Sequence, residues 1–141
     1  MSTSDSPAEI AAELGLVVVE PGPQELLLDM DDAEAHEALA AALKLLTDNG
    51  ELVIETKRTV SKSGNAHVYL TLPKWAALDP MTRIALQACL GSDRKRELYS
   101  ILRVIRAYDI PPTVLFERPE AIAQDQARSE SERIPPARPL C

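Results

Sequence analysis

The spacing of apolar residues changes rhythm several times along the chain, and each change marks an element. LVVVE (16–20) is β-branched and closed by Pro21-Gly22-Pro23, which predicts a short strand and a turn. A second strand follows over Glu25 to Met30. Asp32 then stands in an N-cap position ahead of AEAHEALAAALKLLTDNG, whose Ala and Leu content predicts a long helix stopped at Asn49-Gly50. ELVIETKRTV (51–60) and AHVYLTL (66–72) alternate with period two on either side of the turn residues SKSGN (61–65), the pattern of a hairpin. Alternation along its second strand sends His67, Tyr69 and Thr71 to one face and Val68, Leu70 and Leu72 to the other.

Asp79-Pro80 opens a further helix, Asp as N-cap and Pro at the first helical position, with Met81, Ile84, Ala85, Ala88 and Cys89 along the expected inward stripe and Gly91 ending it. Arg94 to Ala107 repeats the pattern, with Leu98, Ile101, Leu102 and Ile105 expected inward and Arg96, Arg103 and Arg106 outward. TVLFE (113–117) predicts a last strand, and Ala8 to Leu14 a short helix stopped by Gly15. Residues 1–8 and 118–141 are polar with little apolar periodicity and are expected to be disordered, apart from one short helical stretch in the second. The expectation is one α+β domain over residues 9–117, a small and mainly antiparallel sheet backed by helices.

The composition agrees with a single core: 141 residues with 45% hydrophobic content make one globular domain. No run approaches the roughly 20 apolar residues of a membrane span, and MSTSDSPAEI is acidic where a secretory signal would be basic, so a cytoplasmic protein without membrane association is expected. Cys89 and Cys141 have no zinc-ligand or disulfide-framework spacing, which excludes a cysteine-rich metal site. The net charge of −7 is uneven. Residues 1–56 carry 13 acidic side chains and one basic, whereas residues 57–106 carry 10 basic and three acidic. The cationic middle makes Lys57, Arg58, Arg96, Arg103 and Arg106 candidate contacts to nucleic acid, though such charges also serve simply to solvate helix faces.

Candidate chemistry lies in three segments, LLLDMDD (26–32), SKSGNAHVYL (61–70) and LGSD (90–93). Asp29 and Asp31, two apart after an apolar run, leave the same face of a strand and offer paired oxygen ligands of the kind Mg²⁺ or Mn²⁺ takes beside substrate phosphates. Gly64 lets a backbone approach a phosphate closely, with donors from Ser63, Asn65 and His67 beside it. Each residue has a plainer alternative. Asp31 or Asp32 can cap the long helix, His67 can be a paired strand histidine, and Asp93 can cap the helix that begins at Arg94. Trp75 can stack on a base or anchor the core.

Taken in order, a hydrophobic strand with D-x-D, a helix, and a hairpin whose second strand carries a histidine just after a Ser/Gly-rich turn resemble the archaeo-eukaryotic primase superfamily, the primase-polymerases of plasmids, viruses and phages. The match runs over about residues 24–106 and rests on Asp29 and Asp31, on Ser63-Gly64-Asn65-Ala66-His67, and on Asp93 as the lone third acid. Asn65 stands where the family usually has Ser. The resemblance implies a palm- or RRM-like sheet in which Asp29, Asp31 and Asp93 bind Mg²⁺ or Mn²⁺ and serve catalysis. His67 would contact the triphosphate of an incoming nucleotide, with Ser61, Lys62, Ser63 and Asn65 lining its pocket. The implied activity is primer synthesis or template-directed polymerisation from nucleoside triphosphates in phage or plasmid replication, with a DNA template or primer and a helicase or other replication protein as partners.

Two other classes fit parts of the pattern. A non-enzymatic accessory protein would use the cationic helix to bind nucleic acid or an acidic partner, its carboxylates serving as caps. A metal-dependent nuclease would use Glu55-Thr56-Lys57 with Asp29, although the long helix between them suits that layout poorly.

Overall fold

The computed structural model describes residues 7–61, 64–106 and 111–122. The elements run α1 (Pro7–Leu14), β1 (Val17–Val19), β2 (Glu25–Met30), α2 (Ala33–Asp48), β3 (Ile54–Val60), β4 (Ala66–Thr71), α3 (Pro80–Cys89), α4 (Arg94–Ile105) and β5 (Leu115–Glu117). The fold is α+β, and its strands form two small antiparallel sheets, β2-β4-β3 and β1-β5. The expected hairpin is β3-β4, with β2 added on the far side of β4. Helix α1 begins at Pro7, inside the segment expected to be disordered. Most of the tail beyond residue 117 lies outside the described residues, as do Lys62 and Ser63; within it, residues 119–122 form a helical turn.

Alternation gives the three-stranded sheet two different buried faces. On one, Leu26, Leu28 and Met30 of β2 meet Val68, Leu70 and Leu72, and α2 covers them with Leu39, Leu43 and Leu46. Burying each such side chain contributes about 1.5–3 kcal/mol, so this layer supplies most of the fold's hydrophobic stabilisation. Trp75 packs against the same layer and its indole N–H donates to Glu51 Oε2 at 2.8 Å, which makes it a core anchor rather than an exposed stacking platform. On the other face Leu27 and Tyr69 meet Leu115 of β5 and Val19 of β1, so the small sheet lies over the larger one.

The register sets the rows on this second face. Asp29 pairs with His67 and His67 with Thr59, while Leu27 pairs with Tyr69 and Tyr69 with Lys57. Strand β3 slips by one residue between Glu55 and Lys57, a bulge. Without it Arg58 would stand opposite His67 and Thr59 would turn to the other side, because a one-residue shift exchanges the faces of a strand.

Strand β2 is an edge strand, and the outward backbone groups of Glu25, Leu27 and Asp29 have no strand to pair with. Side chains and the turn of the α3–α4 unit take their place. Arg83 Nε donates to Glu25 O at 2.9 Å, and Leu27 N donates to Gln87 Oε1 at 2.9 Å. Arg96 Nη1 donates to Leu27 O at 2.7 Å, and Asp29 N donates to Ser92 Oγ at 3.0 Å. Asp93 N closes the row by donating to Asp29 O at 2.8 Å.

This edge explains two departures from the sequence pattern. The buried residues of α3 are Arg83, Ile84 and Gln87, whereas Met81, Ala85, Ala88 and Cys89 of the predicted stripe are exposed. In α4, Glu97 and Ser100 are buried, and Leu98 and Ile105 are 56% and 68% exposed. Arg96, expected outward, turns inward to Leu27 O and to Val114 O at 3.0 Å. An unpaired strand edge needs hydrogen-bonding partners more than it needs apolar cover, so both helices rotate their polar side chains toward it.

Gly91 completes the α3–α4 turn at φ 96°, and a Cβ there would stand 2.5 Å from the Ala35 carbonyl oxygen of α2. Gly91→Ala should therefore destabilise the fold by at least about 1–3 kcal/mol in urea denaturation, through strain and backbone collision. Gly50, at φ 81° with open space around it, should cost less on the same substitution. Equal losses at the two positions would show that the Ala35 contact contributes nothing.

Candidate metal centre

Three carboxylates from separate elements converge at the end of the sheet. Asp29 is the penultimate residue of β2, Asp31 follows the strand's end, and Asp93 sits in the α3–α4 turn. One carboxylate oxygen from each lies within 4.8 Å of the others. The backbone bond from Asp93 N to Asp29 O pins the two chain segments together. Asn65 Nδ2, just before β4, donates to Asp31 Oδ1 at 2.9 Å and ties the end of the hairpin turn to the same cluster. The capping alternatives resolve separately. Asp32, not Asp31, caps α2 by accepting from Ala35 N at 2.8 Å, while Asp93 caps α4, accepting from Lys95 N at 3.3 Å, and also belongs to the cluster.

Crowding shows in the electrostatics. Burial pushes the Asp29 carboxyl above its usual value, more than His67 and Arg96 pull it down, and Asp93 and Glu117 add to the rise. Asp31 is also raised, by partial burial and then by the negative charges of Asp93 and Asp29. Like charges this close, held by backbone hydrogen bonds, favour protonation or a bound cation. An all-oxygen donor set of three carboxylates suits Mg²⁺ or Mn²⁺, so the chain's residues fit the ion that the sequence pattern implies.

His67 borders the cluster. It is buried, its Nε2 lies 3.8 Å from Asp29 Oδ1, and its Nδ1 lies 2.8 Å from Glu117 Oε1. A cleft of about 560 Å³ opens beside Asp31 and Asp93, lined also by Ala35, Ala38 and Ala88 of the two facing helices and by Arg94. That volume lies within the usual range for small-molecule sites.

The remaining candidates are distributed unevenly. Ser61 closes the hairpin turn, its Oγ accepting from Asn65 N at 3.0 Å, and Gly64 takes φ 93° there. Lys62 and Ser63 fall outside the described residues. Lys57 lies with its Nζ 4.9 Å from the Tyr69 ring centroid. Arg58 forms a two-pronged pair with Glu55, at 2.6 and 3.1 Å, on the exposed side of β3. Arg103 reaches Pro112 O at 3.5 Å, Arg106 is exposed at the helix end, and Arg96 is committed to backbone carbonyls. The cationic residues therefore do not form one outward stripe on α4.

Sequence reasoning missed Glu117, Ser92 and Gln87. Glu117 is the last residue of a three-residue strand and its role depends on which sheet face it covers; Ser92 and Gln87 matter only because β2 is an edge. Neither fact is written in local periodicity. Comparison with family models, with curated proteins and with solved structures returns no match.

The raised carboxyls give a signed expectation. A carboxyl with a raised folded-state pKa favours the fold most below the unfolded value of 3.8 and withdraws that contribution as the pH rises through its folded pKa. A cation must displace the same protons, so the increase in melting temperature caused by Mn²⁺ should grow between about pH 4 and pH 7. Asp31→Asn, which keeps an acceptor for Asn65, should raise the metal-free melting temperature at neutral pH and diminish the response to Mn²⁺. A metal-free protein that loses stability on this substitution would show that the carboxylates do not repel one another.

Proposed function

We propose that this chain is a metal-dependent nucleotidyltransferase of the primase-polymerase kind, which joins nucleotides from nucleoside triphosphates on a nucleic-acid template or primer. The observation that carries the reading is the convergence of Asp29, Asp31 and Asp93, with oxygens within 4.8 Å of one another, beside the inward-facing imidazole of His67. These residues come from the three sequence segments whose order resembles the superfamily's motifs. Phosphoryl transfer requires positioning and charge neutralisation rather than a protein nucleophile, so a small set of carboxylates and one ring nitrogen suffices.

When bound, a divalent cation would neutralise the triphosphate and activate the attacking hydroxyl. Asp29, Asp31 and Asp93 would hold it at the sheet end. When its ring carries both protons, His67 would donate Nε2–H to a phosphate oxygen. The primer's 3′ oxygen then forms a bond to the α-phosphorus as the bond to the pyrophosphate oxygen breaks, and the hydroxyl proton passes to solvent. The acceptor strand and any helicase or other replication partner belong to this proposal as expectations of the same reading.

The two competitors are less well supported. A nuclease site would require Glu55 near Asp29, yet Glu55 is paired with Arg58 on β3, and β4 lies between β3 and β2. An accessory protein binding nucleic acid through α4 would do so with Arg94, Lys95 and Arg106, which are exposed, and without Arg96, which faces β2.

Thermal unfolding with Mn²⁺ and ATP provides the test. Saturation at 100 times the dissociation constant adds about 2.7 kcal/mol to stability. Wild type should gain such an increment, larger with both ligands than with Mn²⁺ alone. Asp29→Ala combined with Asp31→Ala should abolish the gain and any primer extension while keeping the fold. Triphosphate binding by the double variant at wild-type strength would end the proposal.

A further inference from the structure

Glu117 closes β5 with a fully buried carboxylate, and hydrogen bonds from three side chains hold it there. His67 Nδ1 lies 2.8 Å from Oε1. Thr59 Oγ1 donates to both oxygens at 2.8 and 2.6 Å, and the Tyr69 hydroxyl donates to Oε2. All three partners stand on the sheet face that carries Asp29, and Thr59 is there only because of the β3 bulge.

Burying a carboxylate is costly, and an apolar residue there would avoid that cost only by removing the acceptor of Thr59 and His67. Burial alone would raise the Glu117 carboxyl, but the hydrogen bonds from His67, Thr59 and Tyr69 outweigh it and hold the group below its ordinary value. The Thr59 and Tyr69 hydroxyls both donate to Glu117, so its carboxylate acts as an acceptor, and a proton on His67 Nδ1 completes the 2.8 Å contact with Oε1. The opposite nitrogen is then directed toward Asp29 Oδ1, at a separation of 3.8 Å that is too long for a direct hydrogen bond.

We propose that Glu117 is a positioning residue for the candidate site: by accepting Nδ1–H it fixes the ring plane of His67, so that Nε2 points at Asp29 in the carboxylate cluster, where a proton carried on Nε2 would be donated to an oxygen of a metal-bound triphosphate. The ligand in this statement rests on the nucleotidyl-transfer reading; the link from Glu117 to His67 stands apart from it. The β1-β5 sheet thereby acquires a role beyond covering Leu27 and Tyr69, since it delivers the carboxylate that orients the ring.

Two measurements test the proposal. Nitrogen-15 NMR of the ligand-free protein should place the His67 ring proton on Nδ1, with slow exchange, and Glu117→Leu should abolish that protection. Should that variant fail to fold, Thr59→Val with Tyr69→Phe loosens the carboxylate while keeping it, and should speed exchange of the same proton. A neutral wild-type ring protonated on Nε2 instead overturns the proposal whatever the protein binds. The second measurement compares Mn²⁺ alone with Mn²⁺ and ATP. Glu117→Leu and His67→Ala should each leave Mn²⁺ affinity within about twofold and lower ATP affinity about tenfold, the typical cost of losing an orienting partner. The double variant should lose no more than His67→Ala does, because both act through one ring. Multiplying losses overturn the proposal. A wild type that binds Mn²⁺ but no ATP removes the nucleotidyl-transfer reading, and the ring-proton result then decides the role of Glu117 alone.

Discussion

The unpaired outer edge of β2 is the constraint on which both the packing and the site depend. Six backbone groups of Glu25, Leu27 and Asp29 face away from β4, and all six are satisfied, one by Gly22 O and the rest by the α3–α4 unit. Leaving even one such group buried without a partner costs about 1–3 kcal/mol, a large fraction of the stability of a small domain. The row ends with Ser92 and Asp93 on Asp29, so the contacts that seal the sheet also bring the third carboxylate to the first. A polymer satisfying its backbone has, in doing so, assembled the candidate metal centre.

The same geometry separates stability from function. Three carboxylates within 4.8 Å repel, and no apolar cluster would be built that way for its own sake. Arg96 offsets part of the repulsion at Asp29 while remaining bound to Leu27 O, Ser92 Oγ and Glu97 Oε2. Its partners are therefore internal, and its charge acts on the site through space. Natural proteins tolerate such local destabilisation where a ligand returns the energy, and the surrounding Leu and Val layer provides the reserve.

Much of the architecture is legible in the residues. Asp32 and Asp79 act as the caps their positions suggest, Gly15 and Gly50 take positive φ just past their helices, and His67 and Val68 face opposite sides of β4. What failed was the inward face of α3 and α4. Amphipathic reading assigns Met81, Ala85, Leu98 and Ile105 to the core because it weighs only apolar area. The helices instead obey a polar demand set by a strand 60 residues upstream, which no window on the helix itself contains. Asp93 shows the complementary case: a capping role and a cluster role looked like rivals, and one carboxylate fills both, accepting from Lys95 N while lying within reach of Asp29 and Asp31.

Two buried glutamates show how little of this chemistry resides in residue type. Glu97 and Glu117 are both closed off from solvent, yet burial wins at Glu97 and raises its carboxyl despite Arg96 and hydrogen bonds from Ser92 and Gln87, whereas the donors win at Glu117 and lower it. The sign reverses their dependence on pH. Stability from Glu117 is present above the unfolded value of 4.5 and disappears as the pH falls through its lower folded value; the contribution of Glu97 is full below 4.5 and declines as the pH rises through its higher one. Glu97 lies at the sealed strand edge and Glu117 beneath the imidazole. Falling pH therefore withdraws stability at Glu117 while favouring Glu97, and the acceptor that orients His67 is the ionised carboxylate of Glu117.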